Sequence, residues 1–411
     1  MKRIVWLGCM AYFMVGLATV VFGALLPEML RDYGLGYSSG GQLVFAQFAG
    51  FFIGVNLAPR LSTRLGYQKT ICIGMLSLIF VHALLLCHPY WFVVLGLAVL
   101  NGFGFGMTQT AIGTFLLEAV DQNGAIMMSR LEVAFGIGAL FMPLASGLFI
   151  AQHSWIWSFA VVVLFAIINL VLWSNKFVNH LNHLPGVSQY SLAKKQENDV
   201  ITAKTQLSKL AFFIAFVFLY VGIETSIVNF LPSLFVQHLG LGSSEATLSV
   251  TFFWISMVIG RLFSGYIAEK INYYRYLFFS TVGAALFLVC IALAKGTAVS
   301  FAMVFMIGLF LSGIFAILIV FANRVFAGNT KQITSILIAS GGVGGALLPL
   351  VIGWSLERYQ ATVTIWVIVG CTLLLLGCLF RIRKIEKERT KVNQRYNNHD
   401  RILEKHSNLN L

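Results

Sequence analysis

The chain has 411 residues, is 58% hydrophobic and only 10% charged, and carries a formal net charge of +13. Soluble domains average about 25% charged residues, so a water-soluble globular fold is excluded and a polytopic membrane protein is expected. Nor does the positive excess mark a nucleic-acid binder, because its distribution tracks membrane orientation.

Twelve apolar runs follow one another, at roughly 4–27, 41–60, 70–88, 91–117, 131–151, 155–175, 210–236, 247–268, 276–294, 299–322, 334–355 and 361–380. Each is long enough to cross a bilayer as a helix rising about 1.5 Å per residue. Lys2 and Arg3 precede the first run. That run is too long for a signal-peptide core and lacks a small-residue cleavage site, so it reads as a span. Trp155 and Trp157, near a membrane face, read as interfacial belt anchors. A polar stretch separates the sixth run from the seventh. The expected division is therefore an N-terminal six-helix bundle (1–175), a cytoplasmic linker (176–208), a C-terminal six-helix bundle (209–380) and a basic cytoplasmic tail (381–411). With the N-terminus inside, only Arg31, Lys295 and Arg358 of the 28 Lys and Arg fall outside. Basic residues mark the cytoplasmic side, so both termini are expected there, in the cell membrane. The tail, RIRKIEKERTKVNQR from Arg381, reads as a solvated run beside anionic headgroups.

The halves repeat at an offset of 206 residues. Ile53-Gly54 recurs as Ile259-Gly260, and Gly102 as Gly308. Gly136, Gly138, Pro143 and Gly147 recur as Gly342, Gly344, Pro349 and Gly353. Leu26-Pro27 recurs one residue out of step as Leu231-Pro232. Paired six-helix repeats with a midplane site between them are a transporter architecture. The expected fold is all-α, twelve transmembrane helices in two pseudo-symmetric bundles.

One acid stands out. In KLAFFIAFVFLYVGIETSIVNFLPSLFVQ, residues 209–237, Glu224 is the only charge after Lys209. A carboxylate at the bilayer centre costs about 3 kcal/mol on insertion scales, so it should face a cavity or a partner. Glu224 and Glu132 are the two proton-coupling candidates. Glu132 follows Arg130 by two residues and suits an ion pair or gate as well. No cysteine pair, histidine spacing or nucleotide-binding loop points to a metal, a cofactor or ATP. None is expected, and neither is an enzyme.

The loop PRLSTRLGYQK (59–69) and its repeat partner GYIAEKINYYR (265–275) resemble the gating loop of the major facilitator superfamily. The second copy keeps Gly265, Glu269, Lys270 and Arg275. The first keeps Leu61, Arg64, Gly66 and Lys69, but Thr63 stands where the family has an acid. Three further segments resemble the fucose permease-type branch that includes bacterial glucose/mannose:proton symporters. They are SRLEVAFGIGALFMPL (129–144), FLYVGIETSIVNFLPSLF (218–235) and GFGFGMTQTAIGTF (102–115), and Gly260-Arg261 fits with them. The resemblance implies a gating role for Arg64, Arg130, Arg261, Glu269 and Lys270. It also implies a proton-linked carrier of a small polar solute, a hexose above all, working as a monomer. In the fourth span Gln109 replaces the family's glutamate. An amide still binds a hydroxyl but takes up no proton.

A sugar needs paired donors and acceptors beside an apolar platform. The candidates are Gln47, Asn101, Gln109, Tyr220, Asn229 and Trp254, with Tyr12 as either a ligand or a helix cap. The competing function is an exporter of drugs or metabolites, or a proton-independent uniporter, on the same fold. Met142 before Pro143 breaks the Gly-Pro pair of drug antiporters, which favours import. Loss of the acid at Gln109 pulls the other way.

Overall fold

The computed structural model describes residues 2–119, 124–174, 204–326 and 330–407. Most of the expected linker, 176–203, lies outside the described residues. The described chain forms helices α1 (Lys2–Asp32), α2 (Tyr37–Leu65), α3 (Tyr67–Leu85), α4 (Trp91–Ala119), α5 (Gly124–Ala151) and α6 (Ser158–Ser174). The second set is α7 (Lys204–Leu239), α8 (Ser243–Ile271), α9 (Tyr273–Leu293), α10 (Thr297–Leu311), α11 (Ile314–Val325), α12 (Thr330–Arg358) and α13 (Ala361–Ser407). Twelve spans result, because α10 and α11 together make one. With backbone groups satisfied inside each helix, this is one of the two structures a bilayer tolerates.

Two expectations change here. The tenth span is not continuous: α10 stops at Leu311 and α11 starts at Ile314. A Cβ at Gly313, between them, would collide with the Tyr276 hydroxyl and Ser264. Close packing against α8 and α9 therefore holds the break. Trp155 is no belt anchor. It is buried, edge-on to Phe159 at 6.1 Å and to His88 at 6.0 Å, whereas Trp157 is exposed.

The turns explain why the helices end where they do. Gly34 and Gly240, at φ +63° and +68°, occupy the left-handed position that closes a helix C-terminus. They lead α1 into α2 and α7 into α8. At the other end of the spans, Gly66 and Asn272 both stand at φ 86° in tight corners.

Each bundle uses the same contacts: α1 packs on α5 as α7 packs on α12, and α2 on α4 as α8 on α10. Where α1 and α5 cross, a Cβ at Gly16 would strike the Phe135 carbonyl and one at Gly138 the Phe13 carbonyl. Gly222 and Gly344 do the same against Gly344 and Phe218 where α7 and α12 cross. Small residues let helix backbones touch, which is how helices associate without a hydrophobic driving force. The bundles meet along α2 with α12, α5 with α8, and α1 with α7.

Candidate functional site

A cavity of about 330 Å³ lies between the bundles, inside the range of roughly 300–1,000 Å³ typical of small-molecule sites. Helical spacing explains its lining. Val221, Glu224, Thr225 and Val228 on α7 stand three, four and seven apart and share one face. Trp254 and Arg261 on α8 are two turns apart, and Phe105 and Gln109 on α4 one turn apart. Phe48, Phe51, Phe135 and Phe315 supply aromatic wall.

The charges form a triad across the bundle interface. Arg261 reaches Glu224 of its own bundle (Nη2 to Oε1, 3.4 Å) and Glu132 of the other (Nη1 to Oε2, 3.6 Å). The guanidinium also sits 5.7 Å from the Trp254 ring centre, and Trp254 meets Phe135 edge-on at 5.6 Å. Glu224 is the most enclosed of the three: its side chain is 15% exposed, against 31% for Arg261 and 42% for Glu132.

Polar groups face the same space. Asn229 gives its Nδ2 to the Thr225 carbonyl (2.8 Å), and its buried Oδ1 has no partner. Trp254 Nε1 is likewise buried and unpartnered. Gln109 lines the cavity, and its backbone carbonyl accepts from Tyr12 (3.1 Å). A buried amide or indole left unpaired is costly, and a ligand hydroxyl would complete it.

Of the six expected binding residues, the cavity collects Gln109, Asn229 and Trp254. The other three do not line it. Gln47 Nε2 donates to the Thr19 carbonyl (2.9 Å) and Asn101 Nδ2 to the Ala18 carbonyl (3.0 Å), so both staple neighbouring helices to α1. Tyr220 donates to the Leu311 carbonyl (2.8 Å) at the break before α11. Tyr12 behaves as a helix tie. Among the expected gate residues, Arg261 lines the cavity. Arg64, Arg130, Glu269 and Lys270 are exposed, and among the described residues none is in an ion pair.

Sequence reasoning missed the phenylalanines, Thr19 and Thr225. With 36 Phe in the chain, composition singles none out. The internal repeat could have found several, since Thr19 pairs with Thr225 and Phe48 with Trp254 at the common offset.

The bundles are tied together on one side. Among the described residues four hydrogen bonds cross between the bundles: Ser38 N to Glu357 Oε2 (2.6 Å), Ser244 Oγ to the Gly147 carbonyl (2.7 Å), Thr247 Oγ1 to the Ala24 carbonyl (2.9 Å) and Thr251 Oγ1 to the Leu140 carbonyl (3.4 Å). All lie on the Gly34/Gly240 side. The Glu357 carboxylate caps the N-terminus of α2, whose own cap residue, Gly36, has no side chain.

Comparison with known proteins fits this geometry. The family model described as Major Facilitator Superfamily matches residues 8–346 and 212–405. The glucose/mannose transporter GlcP of Bacillus subtilis (strain 168) is 28% identical over 388 residues, covering 92% of this chain and 94% of that protein. A putative glucose/galactose transporter of Helicobacter pylori (strain ATCC 700392 / 26695) is 22% identical over 371 residues, covering 85% and 88%. Among solved structures, a point mutant of the nucleoside transporter NupG aligns with a TM-score of 0.77 at 14% identity, over 92% of this chain and 99% of that one. A D-xylose-proton symporter aligns at 0.73 and 14%, over 92% and 97%.

Proposed function

The chain belongs to the Major Facilitator Superfamily, and on that premise we propose that it carries a neutral hexose such as glucose or mannose across the cell membrane, coupled to protons through Glu224. It is a transporter and not an enzyme. The observation that carries the reading is the Arg261 bridge between Glu224 and Glu132, set in a cavity walled by aromatics, with Asn229 Oδ1 and Trp254 Nε1 unpartnered in its lining. The sugars in the relatives' names support the substrate class.

Asn229 Oδ1, Trp254 Nε1 and the Gln109 amide offer an acceptor, a donor and an adjustable pair for sugar hydroxyls. Phe and Trp faces suit the sugar's C–H surface. In the triad, a proton on Glu224 removes one countercharge from Arg261 and leaves Glu132 as its partner, which ties proton uptake to the bundle interface. With both termini cytoplasmic, the hydrogen-bonded Gly34/Gly240 side faces outward and the substrate enters or leaves on the cytoplasmic side. The hydrogen bonds from Ser38, Ser244, Thr247 and Thr251 then break as the bundles rock. Arg64, Arg130, Glu269 and Lys270 find partners when the cytoplasmic side closes. The working unit is a monomer.

The test is uptake of a hexose panel into proteoliposomes, with and without an imposed pH gradient, for the native chain and for Glu224→Gln. Gradient-driven accumulation of a hexose, lost in Glu224→Gln, is the expected outcome. Native proton flux in Glu224→Gln removes that residue from coupling. Hexose entry that never exceeds equilibrium makes the chain a uniporter, the reading favoured by Gln109. No hexose movement at all shifts the function to export of another solute.

A further inference from the structure

The break between α10 and α11 leaves Leu311 as the last residue of α10, among the helix-end carbonyls that lack an intrahelical amide. The Tyr220 hydroxyl donates to that carbonyl at 2.8 Å. Tyr220 is buried, so water does not compete for the bond. Its side chain also interacts with that of Glu224, one helical turn along α7. Its ring stacks on Phe315 at 6.5 Å, and Phe315 is both cavity wall and the first turn of α11.

A phenol has one proton to donate, and here it has two acceptors within reach. The geometry points to Tyr220 as a positioning residue that reports the proton on Glu224 to the broken helix. When Glu224 is ionised, its carboxylate is the stronger acceptor, since charge-assisted bonds are roughly twice as strong as neutral ones. The phenol then turns to Glu224 and leaves the Leu311 carbonyl bare, so α11 and Phe315 are free to shift. When Glu224 is protonated, its O–H donates to the phenol oxygen, and the phenol proton returns to Leu311. That second arrangement pins the break against α7, as in this structure. The other charged or titratable groups acting on the pair are Arg261 on α8, Glu132 on α5 and Tyr276 on α9. Arg261 and Glu132 face Glu224 from the cavity. The inference rests on the proposed proton role of Glu224.

The experiment measures hexose exchange and gradient-driven accumulation against pH for the full chain, Tyr220→Phe and Glu224→Gln. Tyr220→Phe should keep exchange within about twofold, lose about tenfold in accumulation, and flatten the pH profile of exchange as Glu224→Gln does. Native accumulation and a native pH profile in Tyr220→Phe would overturn the relay. Where Glu224→Gln is flat and Tyr220→Phe is not, only the relay falls; where Glu224→Gln keeps the native profile, the proton role falls first. Difluorotyrosine at position 220 guards against a folding defect, because it preserves shape and strengthens the donor. It should move the midpoint of the pH profile downward by favouring ionised Glu224, and an unmoved midpoint would also overturn the relay.

Discussion

The two bundles are built alike and equipped differently. Positions that shape the backbone recur at the common offset: Gly34 with Gly240, Gly102 with Gly308, Gly138 with Gly344. The corner at Gly66 recurs as Asn272 with the same φ, and there the Asn side chain accepts from the Tyr274 amide at 2.9 Å. Even a side-chain tie is echoed. His88 Nε2 meets Asp32 at 2.5 Å, and His238, at the position equivalent to Asp32, meets the carbonyl of Ala294, equivalent to His88, at 3.0 Å. Apart from the matched Thr19 and Thr225, the polar and charged cavity positions diverge instead. Glu224 has Ala18 as its mate, Arg261 has Val55, Glu132 has Ile338, and Gln109 has Phe315. Helix crossing needs the same small residues in both halves, whereas a binding site between halves needs each group only once.

Three sets of substitutions break or sharpen this comparison. The largest effect is expected from Arg261→Ala, which strands two carboxylates. Breaking a buried pair costs about 3–5 kcal/mol. With Arg261 31% exposed, the stability loss here should be nearer ~2–3 kcal/mol, and initial uptake should separately fall by roughly a hundredfold because the triad is lost. Its mate, Val55→Ala, should change initial uptake rates by less than about twofold, being a surface-type change outside the triad. Equal losses at both positions would dissolve the asymmetry.

Next come Gly138→Val and Gly344→Val, each driving a side chain into a carbonyl of the crossing helix. Overpacking of this kind costs about 1–3 kcal/mol, so both should lower the unfolding midpoint in detergent to a similar extent. Gly370→Val, where a Cβ meets nothing within 4 Å, is the control and should be close to silent. A drop in only one half would mean the crossings are not equivalent.

The smallest effect lies at the corners. Gly66→Ala places a Cβ at φ 86° with no compensating bond, costing about 1–2 kcal/mol. Asn272→Gly exchanges relief of that strain for loss of the Tyr274 cap and should be neutral to within about 0.5 kcal/mol. Thermal unfolding of the purified chain distinguishes the two.

Much of this molecule was legible without coordinates, because the bilayer imposes rules that act along the chain. Apolar run lengths determined twelve spans, and a lone Glu in a run of hydrocarbon marked the acid of the cavity. The offset of small residues showed that the bundles repeat. Sequence alone did not separate Gln47, Asn101 and Tyr220 from the cavity residues, since a polar side chain inside a span donates equally well to a substrate or to a neighbouring helix carbonyl. Only the tertiary structure chose the carbonyls of Thr19, Ala18 and Leu311. It also placed Arg261 in the cavity, between acids 129 and 37 residues away in the chain. Such a pairing depends on how α5, α7 and α8 meet, and no local pattern in any one of them encodes it.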